Sequence, residues 1–90
     1  MKPIRITAHA LGRMIERGAT REQVIETIRA GKPTLARAGR YASSLTFEYH
    51  SISPMNHRFY AFKTVEVVWV DEPETVIVVT TKVYYHDPQL

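Results

Sequence analysis

The sequence contains no cysteine, which excludes a disulfide scaffold and thiolate metal sites. Long apolar runs are missing as well. The longest, Val67–Val70 and Val76–Val79, fall far short of the ~20 residues needed for a helix to cross a bilayer, so no membrane partner is expected. The first six residues, Met1-Lys2-Pro3-Ile4-Arg5-Ile6, carry charge but no apolar core of the kind a signal peptide needs, which makes a cytoplasmic location the expectation. No glycine-rich phosphate loop, no Ser or Cys nucleophile motif and no HExxH occurs, and no cofactor is expected. Four histidines are present, but His50 and His57 follow no common ligand spacing and no Asp or Glu joins them, so no metal site is expected either. Ninety residues fit one domain, residues 1–90, and a chain this short buries only a little over ~60% of its unfolded surface.

What is present is positive charge, unevenly spread. The chain has 12 Lys+Arg against 9 Asp+Glu, a net charge of +3. Residues 1–45 hold nine of the cations and only three of the acids, Glu16, Glu22 and Glu26. Such asymmetry suits a face that attracts RNA, DNA or an acidic protein, although a solubilising surface has the same composition. Arg29, Lys32, Arg37 and Arg40, with no acid among them, are the candidate nucleic-acid contacts, together with Lys82 further along.

Periodicity divides the chain into a helical third and a strand-rich remainder. Thr7 is placed to cap a helix over about residues 8–17 whose apolar positions are Ala10, Leu11, Met14 and Ile15, with Gly18 placed to stop it. Thr20 and Gln23 form a capping box for a second helix, about 21–30, carrying Val24, Ile25 and Ile28 and ending before Gly31 and Pro33. Alternating β-branched and aromatic residues then predict strands over 45–50, 59–70 and 75–85, the last two joined by the turn Asp71-Glu72-Pro73-Glu74. Weaker strand signals lie at 34–38 and 4–6, and 51–57 reads as a surface loop. The expected fold is α+β, with two N-terminal helices on one face of an antiparallel sheet of three to four strands. Leu11, Met14, Ile15, Val24, Ile25, Ile28, Val67, Trp69, Val76 and Val78 form the expected core.

Two groups of side chains could carry chemistry. At 100° per residue His9, Arg13, Glu16 and Arg17 share one face of the first helix. Guanidinium forks match phosphate oxygens and an imidazole moves protons near neutral pH, although an Arg13–Glu16 pair on a solvated face is the plainer explanation. Uninterrupted alternation would put Val76, Val78, Thr80, Lys82, Tyr84 and His86 on one side of the last strand. Its polar end then offers a hydroxyl, an ammonium, a phenol and an imidazole in a row, as would the exposed end of an ordinary edge strand. The aromatic residues Tyr41, Phe47, Tyr49, Tyr60 and Phe62 suit base stacking but equally suit sheet packing.

The stretch Ile6-Thr7-Ala8-His9-Ala10-Leu11-Gly12-Arg13-Met14-Ile15-Glu16-Arg17-Gly18-Ala19 resembles the bacterial and archaeal family of unknown function DUF4258, whose signature is His-Ala-x-x-Arg-Met-x-x-Arg-Gly. Val78-Val79-Thr80-Thr81-Lys82-Val83 stands where that family ends in Val-Val-Thr-Val. The resemblance implies a likeness to the RelE/ParE toxins, small α+β domains of which some are metal-independent ribonucleases. By that likeness, the expectation is a toxin-like endoribonuclease or RNA-binding domain of a toxin–antitoxin system. His9, Arg13 and Arg17 would be catalytic through the motif, Tyr84 and His86 through the strand-face argument. The competing expectation is a non-catalytic module that grips an acidic, antitoxin-like protein.

Overall fold

The computed structural model describes residues 2–88. Its elements run β1 (Ile4–Ile6), α1 (Ala8–Arg17), α2 (Arg21–Ala30), β2 (Lys32–Leu35), a 3₁₀ turn at Arg37–Gly39, β3 (Tyr41–Ile52), β4 (Phe59–Asp71) and β5 (Val76–His86). Both helices fall where the caps place them. Thr7 Oγ1 accepts from the Ala10 N–H at 3.1 Å, and Gly18 closes α1 in the left-handed region at φ 85°. Thr20 and Gln23 make the reciprocal capping box of α2. Among the described residues no helix is long and apolar enough to cross a membrane.

The sheet departs from expectation in size and type. It has five strands in the order β1-β5-β4-β3-β2, and it is mixed. Ile4–Ile6 lies parallel to Val76–Val78, while the other three pairings are antiparallel. Ile4–Ile6 is an edge strand, while the signal at 34–38 corresponds to the edge strand Lys32–Leu35, with the 3₁₀ turn in place of its second half, and β3 begins at Tyr41 rather than Leu45 because Tyr41–Ser44 pairs on both sides, with β2 and with β4.

Both helices cover one face. The core joins Ala10, Met14, Ala19 and Val24 from the helical segment to Val65, Val67, Val78 and Val83 from the sheet. Met14, Val24, Val67, Val76 and Val78 are buried as expected, while Ile25, Ile28 and Trp69 are half-buried. Leu11 and Ile15 are corrections, 48% and 75% exposed. Met14 and Ala10 point straight at the sheet, at 3% and 0% exposure, so Leu11 and Ile15 on the flank of α1 extend past its edge of contact.

The underside of α1 is pinned at its C-terminus by two β-strand side chains. The Tyr85 hydroxyl donates to Arg17 O at 2.6 Å, and the buried Lys63 ammonium donates to Gly18 O at 2.7 Å while lying 5.0 Å from the centre of the Tyr49 ring. Burial, reinforced by Tyr49, pushes the Tyr85 phenol up to about 12. Burial lowers the Lys63 ammonium from its usual range. The signs oppose. Folded Tyr85 keeps its proton where the unfolded chain has lost it, so its contribution is complete below about pH 10 and disappears as pH climbs toward 12. The cost of burying charged Lys63 is instead relieved as pH rises toward its unfolded value. Chemical denaturation across pH 9–12 should therefore show a steep loss of stability above about 10. Tyr85→Phe should flatten that loss, while costing about 1 kcal/mol at neutral pH for the missing hydrogen bond. An equally steep alkaline loss in Tyr85→Phe would place its origin elsewhere.

Candidate functional site

One irregularity in β5 decides which side chains reach solvent. Val68 faces Thr80 across the β4–β5 ladder but Trp69 faces Val78, so Val79 is an extra residue, a β-bulge. The bulge reverses the phase of the strand. Val76 and Val78 lie against the helices with Thr81 and Val83, whereas Lys82, Tyr84 and His86 point to the opposite, open face. This corrects the expectation that Val76 and Val78 share a side with the polar row.

Cross-strand register arranges the open face in rows. Lys32, Ser44, Glu66 and Lys82 form one row across four strands. Thr46, Thr64 and Tyr84 form the next, and Glu48, Phe62 and His86 the one after. Lys82 Nζ stands 3.9 Å from Glu66. The Thr46 and Thr64 hydroxyls meet at 2.8 Å, and Thr64 Oγ1 meets His86 Nε2 at 2.9 Å, which fixes that imidazole and leaves its Nδ1 to exchange a proton.

The helix motif meets β5 along its outer edge. His9 Nε2 lies 3.3 Å from Thr80 Oγ1. Arg13 is half-exposed and pairs with Glu16 at 3.1 Å, as its spacing predicted. Arg17 donates to Thr81 O at 2.9 Å, so its guanidinium covers a main-chain carbonyl of an edge that β1, only three residues long, leaves unpaired. Beside it Arg17, Met55, Lys82, Val83 and Tyr84 line a cavity of about 320 Å³. Of the residues picked out as catalytic, Arg17 and Tyr84 therefore share one cavity and His9 touches the same strand upstream. Arg13 is engaged with Glu16. His86 lies one step further along β5 and lines a different cavity, of about 530 Å³, with Thr46, Phe62, Asp87 and Pro88.

The basic residues from the first half do not gather into one patch. Arg29 borders a cavity of about 220 Å³ with Lys2, Arg21 and Ile25, and Lys2 is itself paired with Asp71. Lys32 lies on β2, with Arg37 and Arg40 at the turn beyond it. That edge is three strand spacings, roughly 14 Å, from β5. Only Lys32 and Lys82 share a row. Sequence reasoning overlooked Thr46 and Thr64, which take their places from strand register, and Met55, which comes from the β3–β4 loop, while Phe62 was named only among the aromatics suited to stacking or packing. Alternation along β4 does carry a signal for Phe62 and Thr64. No group of three or more His, Cys, Asp or Glu side chains suited to a metal ion occurs among the described residues.

No curated protein and no solved structure matches the sequence. A family model does, over residues 6–83, from the strand that opens the fold through the His9–Arg17 helix to Val83 in the last strand. With most of its length accounted for in this way, the chain belongs to the DUF4258 family, a domain of unknown function.

Proposed function

We propose that this protein binds single-stranded RNA across the open face and outer edge of β5 and cleaves it without a metal ion, in the manner of a RelE-like toxin domain. The observation that carries the reading is the cavity that Arg17, Lys82 and Tyr84 share at the outer edge of β5, with His86 one alternation further along the same open face. Attack of a ribose 2′-hydroxyl on its own phosphate needs a base for the hydroxyl proton, an acid for the leaving oxygen and cations for the charge that develops. His86 supplies an imidazole that can take or give a proton. Tyr84, half-exposed, offers a phenol on the same side, one alternation or ~7 Å away. Arg17 and Lys82 supply the positive charge. His9 and Arg13 lie upstream on the same edge, where they guide the phosphate chain toward the cavity.

A titration of labelled RNA should show affinity falling steeply with salt, because each neutralised phosphate releases counterions. Cleavage should persist in EDTA. Tyr84→Phe, which removes one oxygen atom from an exposed side chain, should slow cleavage about tenfold while leaving binding unchanged, the loss expected for one hydrogen bond made in the transition state. His86→Ala should slow cleavage about 100-fold, the loss expected for a general acid or base. No RNA binding at low salt would sink the reading.

One observation favours the second reading, an acidic protein partner. Thr81 turns its carbonyl outward to Arg17, so by alternation Val83 and Tyr85 also turn their main-chain groups to the free edge. An extended acidic segment could add there as a strand between Arg17 and Lys82. A pull-down with an acidic peptide that competes with RNA and is lost in the Arg17→Glu, Lys82→Glu double variant would support it.

A further inference from the structure

The open face holds an aromatic cluster that shares only His86 with the polar row of β5. At its centre is Phe62 of β4. The His86 ring stacks beside it, centroids 5.9 Å apart and planes 24° apart, and the His50 ring lies 6.1 Å from it at 53°. A stacked pair at that separation is offset, so the His86 imidazole leaves part of the phenyl face open. Both imidazoles are held. His86 is fixed through Thr64 and Thr46, and His50 Nε2 lies 3.2 Å from Glu48 Oε1.

The placement of His50 is itself unusual. The β3–β4 register shifts between Glu48 and Ser51, and His50 sits in that irregularity at φ 46°, in the left-handed region that a histidine seldom adopts. Backbone of this kind persists where its surroundings hold it and clusters at binding sites. Alternation along β3 already puts His50 on the face of Thr46 and Glu48, and the irregularity holds its imidazole beside Phe62.

Next to the rings is the cavity of about 530 Å³ formed by Thr46, Phe62, His86, Asp87 and Pro88, within the ~300–1,000 Å³ typical of small-molecule sites. Its walls combine an aromatic face with a few polar atoms. One Asp87 oxygen accepts from the Ala61 N–H at 2.9 Å, which orients the carboxylate and leaves the other oxygen as an acceptor.

We propose that Phe62, flanked by His50 and His86, is a stacking platform for one nucleobase, a subsite that rests on the reading of the open face as an RNA-cleaving surface. A flat heteroaromatic ring satisfies both parts of the cavity, its face on Phe62 and its edge N–H groups on Asp87 and Thr46. An aliphatic side chain would satisfy the first and desolvate the carboxylate without a donor. Tyr84, the next open-face residue on β5 before His86, then falls about one nucleotide step from the stacked base, where the phosphate of that nucleotide would be. The site therefore selects by base as well as by charge, and it favours single strands, since a base must leave its helix to stack on protein.

Nuclear magnetic resonance of the full chain titrated with the four nucleoside 5′-monophosphates, and with ribose 5-phosphate as the base-free probe, tests this. The nucleotides should shift the ring protons of Phe62 and the Cε1 protons of His50 and His86 upfield, and ribose 5-phosphate should not. Phe62→Leu, which keeps the apolar bulk, should weaken nucleotide binding about tenfold or more. His50→Asn, which tolerates the same backbone, should weaken it less. Equal shifts from ribose 5-phosphate, or unchanged nucleotide affinity in Phe62→Leu, would overturn the platform. The two readings separate cleanly. Salt-sensitive RNA cleavage whose rate and base preference survive Phe62→Leu removes the platform and keeps the nuclease. Base-dependent shifts with no RNA binding or cleavage remove the nuclease and keep a nucleotide site.

Discussion

Met14→Ala should lower stability by about 2–5 kcal/mol, whereas Ile15→Ser, one position later in the same helix, should change it by less than about 0.5 kcal/mol. A chain of this length has on the order of 5–13 kcal/mol of net stability, so the first change removes a large share of it. Ala10 and Met14 are the only fully buried side chains of α1. Met14 is much the larger, and it packs in the cluster with Val65, Val67, Val78 and Val83. Truncation leaves a void between α1 and the sheet that Ala10, the other buried side chain of the helix, is too small to fill. Ile15 is mostly in water and gives up almost nothing. Urea denaturation of both variants checks the pair, and equal losses would mean that α1 is rotated about its axis from the orientation described.

Gly31→Ala should cost about 3 kcal/mol, near the upper end for overpacking, and lower Tm by roughly 12–24 °C. Backbone conformation is not the reason, since Gly31 sits at φ −71°, which alanine adopts freely. Conformational entropy alone would favour alanine by ~0.4–1 kcal/mol. Space decides the sign. An added Cβ would collide with Thr27 O and lie 2.7 Å from Ser44 O, both main-chain atoms. Thr27 O is accepting the last hydrogen bond of α2 and Ser44 belongs to β3, so neither can give way without parting the helix from the sheet. Gly39 is the contrast. Nothing lies within 4 Å of a Cβ there, and its φ of 71° leaves only backbone strain, about 1 kcal/mol. A Gly31→Ala protein as stable as the parent would show that the α2–β2 junction is looser than described.

These two sites also show where the sequence can be read and where it cannot. Both helices were legible to the residue because caps are local, Thr7 to Ala10 and Thr20 to Gln23. The long hairpin was legible because alternation and a proline-bearing turn are local too. Which flank of α1 meets the sheet was not, because Leu11 and Ile15 lie on the apolar side by periodicity and only the position of β5 decides that Ala10 and Met14 lie innermost. The parallel pairing of Ile4–Ile6 with β5 was beyond reach for the same reason, two segments some seventy residues apart. In the candidate site, Lys82, Tyr84 and His86 were correctly grouped, since they lie on one side of the bulge. Val76 and Val78 were misplaced because they lie on the other, and no residue type marks Val79 as the extra one. The positive φ of His50 had no signal at all, since it accompanies the irregular register with β4.

The pairing of β1 with β5 has a consequence for the order in which the molecule can be made. Pro3 O accepts from the Val76 N–H and the Thr75 hydroxyl, and the Thr7 N–H donates to Val78 O. The strand on which α1 packs, and against which β1 lies, is thus the last of the five to be synthesised. Until it leaves the ribosome, α1 has been made but lacks the strand beneath it, and Met14 waits partly uncovered. Closing contacts so distant in sequence is slow, and the exposed apolar stripes in the interval attract chaperones or other nascent chains. Translation that stops anywhere before residue 76 yields a polypeptide with neither a support for its first helix nor the strand that carries Lys82, Tyr84 and His86. Incomplete copies are therefore inert, and whatever this surface does begins only when the whole fold is finished.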